Sequence, residues 1–321
     1  MHHNDPVNSF YSTVHISIVS PVFNAEKILE QLVVEIQSAI NQLNVSYEIV
    51  LVDDRSTDNS WQIMQAISTK NRAVKSIRLS KNFGQHPAIM AGLAHVKGEW
   101  VVVMDCDLQD QPNEIIKLYH KATEGFDLVI AKRLNRKDSF LKKLFSRLFA
   151  SFYSYLTDSK FDHSTANFGI YSSKAIAEVM KMNDYVKSFP LFINWVGFNA
   201  TTIEVEHSKR FSGKSNYSFS KLLSLAFNSI ISFSDKPLKL VVKFGLIISL
   251  FSFIIGLITI FRYYNGEITV LGYSSLIVSI WFLSGIMITI TGIVGLYIGK
   301  IFDQSKNRPP FIIDKIIAKD E

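Results

Sequence analysis

Two acidic clusters carry the residue types and spacing that could do chemistry. The first, Asp105-Cys106-Asp107-Leu108-Gln109-Asp110, follows the apolar run Trp100–Met104. Alternate residues on an extended stretch point the same way, so Asp105 and Asp107 can reach one point while Cys106 turns back into the fold. Two hard oxygen donors converging there suit Mg²⁺ or Mn²⁺, with a substrate diphosphate and water completing the shell. Such an ion neutralises charge that builds on a leaving nucleoside diphosphate. The second cluster, Asp53, Asp54 and Asp58, sits in Val52-Asp-Asp-Arg-Ser-Thr-Asp58. Carboxylates crowded on one turn repel unless they meet donors, and ribose hydroxyls or base N–H groups would serve. The alternative is a turn and helix cap built from Asp and Ser.

Both clusters need a frame that brings them to one edge. The runs His15–Ser20, Tyr47–Val52 and Trp100–Met104 are rich in Val and Ile and each ends in polar residues, the pattern of buried parallel strands. Leu128–Ala131 reads as another strand. Between the first two, Glu26–Leu43 places Ile28, Leu32, Ile36, Ala39, Ile40 and Leu43 at helical spacing, and Ser60–Ile67 and Pro87–His95 supply further helices. This alternation predicts a doubly wound α/β domain, whose ligands sit beyond the carboxyl ends of the strands.

Charge is dense up to Arg210 and then nearly vanishes over Phe244–Phe261 and Leu276–Gly299. As helices these stretches are about 27 and 36 Å long, which predicts two transmembrane spans rather than buried core helices. Lys236, Lys239 and Lys243 precede the first, and Lys300, Lys306 and Arg308 follow the second. The positive-inside rule then puts both ends and the N-terminal domain in the cytoplasm, with a short hairpin on the far side. Before the first span, Leu222, Leu223, Ala226, Phe227, Ile230 and Ile231 form an apolar helical stripe, read as an interfacial helix or one packed on the soluble domain.

Met1–Thr13 is polar and Val14–Val19 is too short for a signal-peptide core, so nothing directs the N-terminal domain outward. The single cysteine, Cys106, permits no intrachain disulfide and agrees with a reducing compartment. The net charge of +6 gathers near the spans, which favours anionic lipid or phosphate over nucleic acid. His86, His163 and His207 have no metal-ligand spacing. Asn199-Ala-Thr201 and Asn216-Tyr-Ser218 fit the glycosylation pattern but fall on the cytoplasmic side.

Taken together, the chain resembles the family 2 glycosyltransferases, close to the dolichol-phosphate mannose synthases and the bacterial polyprenyl-phosphate (bactoprenol) glycosyltransferases. The matching residues are Pro21-Val22-Phe23-Asn24-Ala25-Glu26, Val52–Asp58, Leu79-Ser80-Lys81-Asn82-Phe83-Gly84, Asp105–Asp110, and Ala131-Lys132-Arg133 with Arg136. Trp195-Val196-Gly197-Phe198, Gly213-Lys214-Ser215 and the two spans extend the likeness over nearly the whole chain. The resemblance implies an A-type glycosyltransferase domain over 1–215, an interfacial segment over 216–238, a transmembrane hairpin over 239–301 and a cytoplasmic tail over 302–321. It implies a nucleotide site at Pro21, Val22, Asn24, Glu26, Asp53, Asp54, Ser56, Lys81, Asn82 and Asp105, and a Mg²⁺ or Mn²⁺ site at Asp105, Asp107 and Gln109.

The acceptor implied is a polyprenyl phosphate at the inner face of the cytoplasmic membrane, the donor a nucleotide sugar, most simply a UDP-sugar, and the outcome inversion. The product would be a lipid-linked sugar for later glycan modification in the cell envelope, and related enzymes form oligomers. Arg133 and Arg136 offer forks suited to phosphate oxygens, and Arg210 and Lys214 could close the same site. Lys142, Lys143 and Arg147 suit anionic lipid. Where related enzymes often carry Gly-Asp-Phe-Arg, with the Asp proposed as a base, this chain reads Ala166-Asn167-Phe168-Gly169. Asn167 accepts no proton but can orient donor sugar or phosphate. A phosphate monoester needs no base, because it is already an anion at neutral pH. The alternatives are a transferase acting on a saccharide hydroxyl, which wants a base, and a catalytically idle nucleotide-sugar-binding subunit, which would have no need of the carboxylates.

Overall fold

The structure is a computed structural model that describes residues 14–133, 165–182, 184, 188–206, 236–266 and 272–319. The chain divides into two units. The first holds Met1–Phe145, Asp162–Asn216 and Pro309–Glu321; the second holds Ser146–Phe161 and Tyr217–Arg308.

In the first unit the strands are β1 (Ile16–Val22), β2 (Tyr47–Asp53), β3 (Val74–Leu79), β4 (Trp100–Val103), β5 (Leu128–Arg133), β6 (Thr165–Ser172), β7 (Ala200–Val205) and β8 (Ile313–Ile317). They form one sheet in the order β7-β5-β6-β4-β1-β2-β3-β8. β1 pairs in parallel with β2 and β4, β2 with β3, and β5 with β7. β6 and β8 run against their neighbours. The expected mostly parallel α/β architecture is therefore present, with two antiparallel strands added.

The helices are α1 (Leu29–Asn41), α2 (Ser60–Lys70), α3 (Gln85–Leu93), α4 (Glu114–Thr123), α5 (Ser173–Lys181) and α6 (Phe189–Trp195). Every residue of β1 is buried, as a strand covered on both faces requires. One face carries the main core, where Ile16, Ile18, Leu51, Val102, Met104 and Phe168 meet Leu29, Leu32, Ile36 and Ile40 of α1 and Ile115 and Leu118 of α4. On the other, α3 lies so close that a Cβ on Gly92 would stand 2.4 Å from Val19 Cγ1. Any larger residue there would push the helix off the sheet.

α1 starts three residues later than its apolar spacing suggests, because Ala25 and Glu26 are held by the neighbouring loop. The 302–321 segment, expected as a tail, carries β8: Ile316 pairs with Ile77, Lys315 with Arg78, and the Ser80 N–H donates to the Ile312 carbonyl. The chain thus returns to the sheet after its apolar region.

The second unit contains α7 (Lys236–Tyr264) and α8 (Tyr273–Ser305). Both apolar stretches anticipated from composition lie inside these helices. Among the described residues, Phe282–Ser305 is long and apolar enough to cross a membrane, with mean hydropathy 1.9 and none of it buried. Exposed Phe244, Ile247, Leu250 and Phe251 give α7 a water-averse surface as well. The anticipated interfacial helix over 216–238 lies outside the described residues except for its last three, which open α7.

Candidate active site

The carboxyl ends of β1 to β5 form one rim, and the loops after β1 and β2 are stitched together there. Asn24 Oδ1 accepts the Thr57 N–H at 2.9 Å and its hydroxyl at 3.2 Å, while the Asn24 N–H donates to Ser56 Oγ at 3.0 Å. The Ala25 N–H donates to Ser60 Oγ, and the Glu26 N–H to Asp58 Oδ2. Glu26 in turn accepts the backbone and side-chain N–H groups of Asn59. Burial works against ionisation of Asp58, but hydrogen bonds from Ser60 and Glu26 outweigh it and hold the carboxyl below its ordinary value. Asn24 and Arg55 take φ of 52° and 60°, the left-handed region that a non-glycine residue enters only when its surroundings fix it.

Asp53 is wholly buried. Its Oδ1 accepts the Ser56 N–H at 2.9 Å, and Arg78 Nε lies 3.1 Å from Oδ2 as an ion pair whose angle misses a hydrogen bond. Arg78 lies over the Trp61 ring, 5.3 Å from its centroid. Asp54 accepts the N–H groups of Phe83 and Gly84 at 2.7 and 2.8 Å. Burial raises its pKa, partly offset by those two bonds, with Asp53 adding to the rise. The donors that the sequence led us to seek in a ribose or base are, for these carboxylates, largely the chain's own N–H groups. Asp54 acts as the anchor of the Leu79–Gly84 loop, which presents Lys81 and Asn82 to solvent; Lys81 Nζ stands 4.9 Å from the Phe83 ring centroid. Pro21 and Val22 are buried within β1, so what they can offer a ligand is backbone.

β4 ends at Val103, and Cys106 and Asp107 already form a turn, with Leu108 left-handed at φ 53°. The extended geometry assumed for Asp105 and Asp107 is therefore replaced by a tight turn. Both side chains are partly exposed. Asp105 Oδ1 accepts the Gln85 amide at 2.6 Å, from the first residue of α3, and Asp107 Oδ1 accepts the Gln109 N–H at 3.2 Å. Cys106 packs against the core as expected, and burial, then the charges of Asp105 and Asp107, push its thiol up to about 12. Both charges thus bear on the Cys106 thiol between them. No group of three or more His, Cys, Asp or Glu side chains fit to hold a metal occurs among the described residues. A two-carboxylate donor set suits a hard divalent ion that takes its remaining ligands from substrate and water.

The register brings further residues to this rim. Val103 of β4 stands opposite Gly169 of β6, and the same pairing continued by two residues sets Asp105 beside Asn167. On the next strand Arg133 ends β5, opposite Val205. Along the rim the order is therefore Asp53, Pro21 and Val22, Asp105, Asn167, Arg133. Adjacent strands are about 4.8 Å apart, so Arg133 stands roughly 10 Å from the Asp105 strand. Arg136, Arg210 and Lys214 lie outside the described residues, as do Lys142, Lys143 and Arg147. Gln85, Arg78 and the Arg55–Asp314 ion pair (2.9 Å) were not anticipated. Gln85 could have been suspected from its place directly after the Asn82-Phe83-Gly84 turn.

The fold is a mostly parallel α/β sheet with both acidic loops on one rim, and comparison with known proteins supplies the family. The sequence model of glycosyl transferase family 2 matches residues 17–178, and the chain belongs to that family. It is 34% identical over 303 residues to the uncharacterized glycosyltransferase YkcC of Bacillus subtilis, covering 94% of each chain. It is 31% identical over 315 residues to the undecaprenyl-phosphate 4-deoxy-4-formamido-L-arabinose transferase of Proteus mirabilis, covering 97% of each. Among solved structures, the glucosyl-3-phosphoglycerate synthase of Mycobacterium tuberculosis, crystallised with Mn²⁺, UDP and glucosyl-3-phosphoglycerate, superposes with a TM-score of 0.50 at 16% identity, over 68% of this chain and 78% of that one. The mannosyl-3-phosphoglycerate synthase of Rubrobacter xylanophilus also gives 0.50, at 14% identity, over 68% and 72%. These two establish a shared A-type glycosyltransferase fold. The protein is a glycosyltransferase.

Proposed function

We propose that this enzyme transfers a sugar, with inversion, from a UDP-sugar to a polyprenyl phosphate at the cytoplasmic face of the membrane, with Mg²⁺ or Mn²⁺ bound by Asp105 and Asp107. The observation that carries the reading is the order along the rim. A buried, hydrogen-bonded nucleotide side at β1 and β2 is followed by exposed carboxylates at β4, an amide at β6 and an arginine at β5. That sequence of chemistries matches uridine, diphosphate, sugar and acceptor phosphate laid out in line. The naming of near full-length relatives as undecaprenyl-phosphate transferases supports the acceptor.

A divalent ion at Asp105 and Asp107 would supply charge neutralisation to the departing diphosphate. The chain's own part is to hold and orient. Gln85 fixes the Asp105 carboxyl, and the turn at Leu108 fixes Asp107. The Asn167 amide orients sugar or phosphate without taking a proton, which suits an acceptor that arrives as an anion. Arg133 holds the acceptor phosphate through charge-assisted bonds, and Arg136, Arg210 and Lys214 are assigned to the same task. Gln109 is assigned to the metal shell through its side chain, and Lys81 and Asn82 to the nucleotide.

We place α7 and α8 in the membrane as a hairpin. Its support is the apolar, exposed surface of both helices and the continuation of the chain after α8 into β8 of the sheet. Incubating membranes that contain the enzyme with radiolabelled nucleotide sugars and polyprenyl phosphate tests the proposal. The expected result is label in the lipid phase from a UDP-sugar; label carried only by a saccharide hydroxyl acceptor would refute it.

A further inference from the structure

On the α3 side of the sheet, next to Asn167, lies a cavity of about 20 Å³ lined by Asn167, Tyr171, Asn194, Ile130, Phe189 and Pro190. A single water-sized group needs roughly 10–15 Å³, so the cavity accepts one such group and little more. Its shape has a specific cause. Residues 167, 169 and 171 of β6 share one face of the sheet. The Tyr171 hydroxyl leans back along the strand over Gly169, 2.6 Å from where a Cβ would stand. The Tyr171 ring is fixed by an edge-on contact with Phe189, centroids 5.2 Å apart at 89°. Gly169 is therefore what admits the phenol, and Tyr171 lines the cavity beside it. Burial pushes the Tyr171 pKa up, so the group remains a neutral O–H donor. Asn167, Asn194 and Tyr171 are the residues with polar side chains in an otherwise apolar lining.

The cavity also lies within reach of the reacting sugar. Gly169 is opposite Val103, two residues before Asp105. At a rise of about 3.3 Å per residue this places the Tyr171 hydroxyl roughly 7 Å from the Asp105 level, about the width of a sugar ring extending from a diphosphate.

We infer that this cavity is a donor-sugar subsite which takes one hydroxyl of the transferred sugar, and that Tyr171 and Asn194 determine specificity by excluding an acylamino group at that ring position. The inference rests on the proposed nucleotide-sugar reading. A site built to hydrogen-bond a hydroxyl and too small for more discriminates through lost bonds and through overpacking.

The test uses the full-length enzyme in detergent or membranes. Binding of UDP, UDP-hexoses and UDP-N-acetylhexosamines is measured by displacement, and transfer to polyprenyl phosphate is measured alongside. Wild type should bind the hexose donors more tightly than the N-acetyl donors. Tyr171→Phe, which keeps the ring packed on Phe189, should weaken hexose donors about five- to tenfold with UDP affinity unchanged, the effect of one lost hydrogen bond. Tyr171→Leu should shift the donor ratio toward the N-acetyl sugar by about tenfold or more. A donor ratio unmoved in both variants while UDP-sugars still bind would overturn the subsite, as would equal binding of both donor classes by wild type. A shift in donor binding without transfer to polyprenyl phosphate would uphold the subsite and overturn the acceptor reading. Failure of wild type to bind UDP or any UDP-sugar would remove the basis of both.

Discussion

The two acidic ends of the sheet look alike in sequence and differ in structure. After β2, Asp53, Asp54 and Asp58 are absorbed by the protein: Ser56, Phe83, Gly84, Glu26 and Ser60 supply backbone N–H groups, and Arg78 supplies charge. After β4, Asp105 and Asp107 stay partly exposed, held in place by Gln85 and the Gln109 N–H. Carboxylates that spend their oxygens on their own chain build a loop, and carboxylates fixed but still accessible can do chemistry. In the proposed function the first region frames the donor site and the second is its reacting edge.

If that division is right, substitutions at the two ends should fail in different ways. Asp105→Asn and Asp107→Asn should cost the most in transfer, roughly 10²–10³-fold or more, with little change in thermal stability; enzyme kinetics and a melting curve separate the two readouts. Arg133→Ala should raise the acceptor KM by about tenfold or more and leave UDP binding intact, since hydrogen bonds to charged groups contribute about 1.5–3 kcal/mol. Loss of UDP affinity instead would move that arginine to the diphosphate. Asn167→Ala should lower transfer by about tenfold, less than Asp107→Asn; an equal loss would give the amide more than an orienting role.

Asp54→Ala should show the opposite signature, a stability loss of about 1–3 kcal/mol from leaving the Phe83 and Gly84 N–H groups without an acceptor, seen in denaturant unfolding. Its pH dependence has a defined sign. Because its folded pKa is raised, the folded state holds the proton more tightly than the unfolded chain does. The residue therefore makes stability fall as pH rises from about 3.8 through the folded value. Asp54→Asn should flatten the melting temperature over that window. The smallest effect belongs to Asp314→Ala, because the Arg55–Asp314 pair is exposed and such pairs contribute about 0–1 kcal/mol.

Much of this frame was legible in the residues. β1, β2 and β4 are apolar runs ending in polar clusters, and α1 announces itself by the spacing of Ile28, Leu32, Ile36, Ala39, Ile40 and Leu43. β3 was harder to see, since Lys75 and Arg78 interrupt it, and their partners Glu48 and Asp53 are known only once the sheet is assembled. β6 carries Asn167 and Gly169 among its apolar residues, and its place between β4 and β5 is set only by the assembled sheet. β8 is five residues beyond the apolar region, and no local pattern shows that it pairs with β3. At the site, residue types were readable and their division of labour was not. Whether an aspartate is satisfied by its own chain depends on loops brought together from Asn24 to Gly84, and that pairing is tertiary.

The most direct test of the central claim is sugar transfer to polyprenyl phosphate measured with the metal controlled. Chelation should abolish transfer by the wild-type enzyme, and added Mg²⁺ or Mn²⁺ should restore it. The same addition should leave Asp105→Asn and Asp107→Asn inactive while Asp54→Asn recovers. Full transfer after chelation, or metal-restored activity in the Asp105 and Asp107 variants equal to wild type, would contradict the assignment of the reacting edge to that pair.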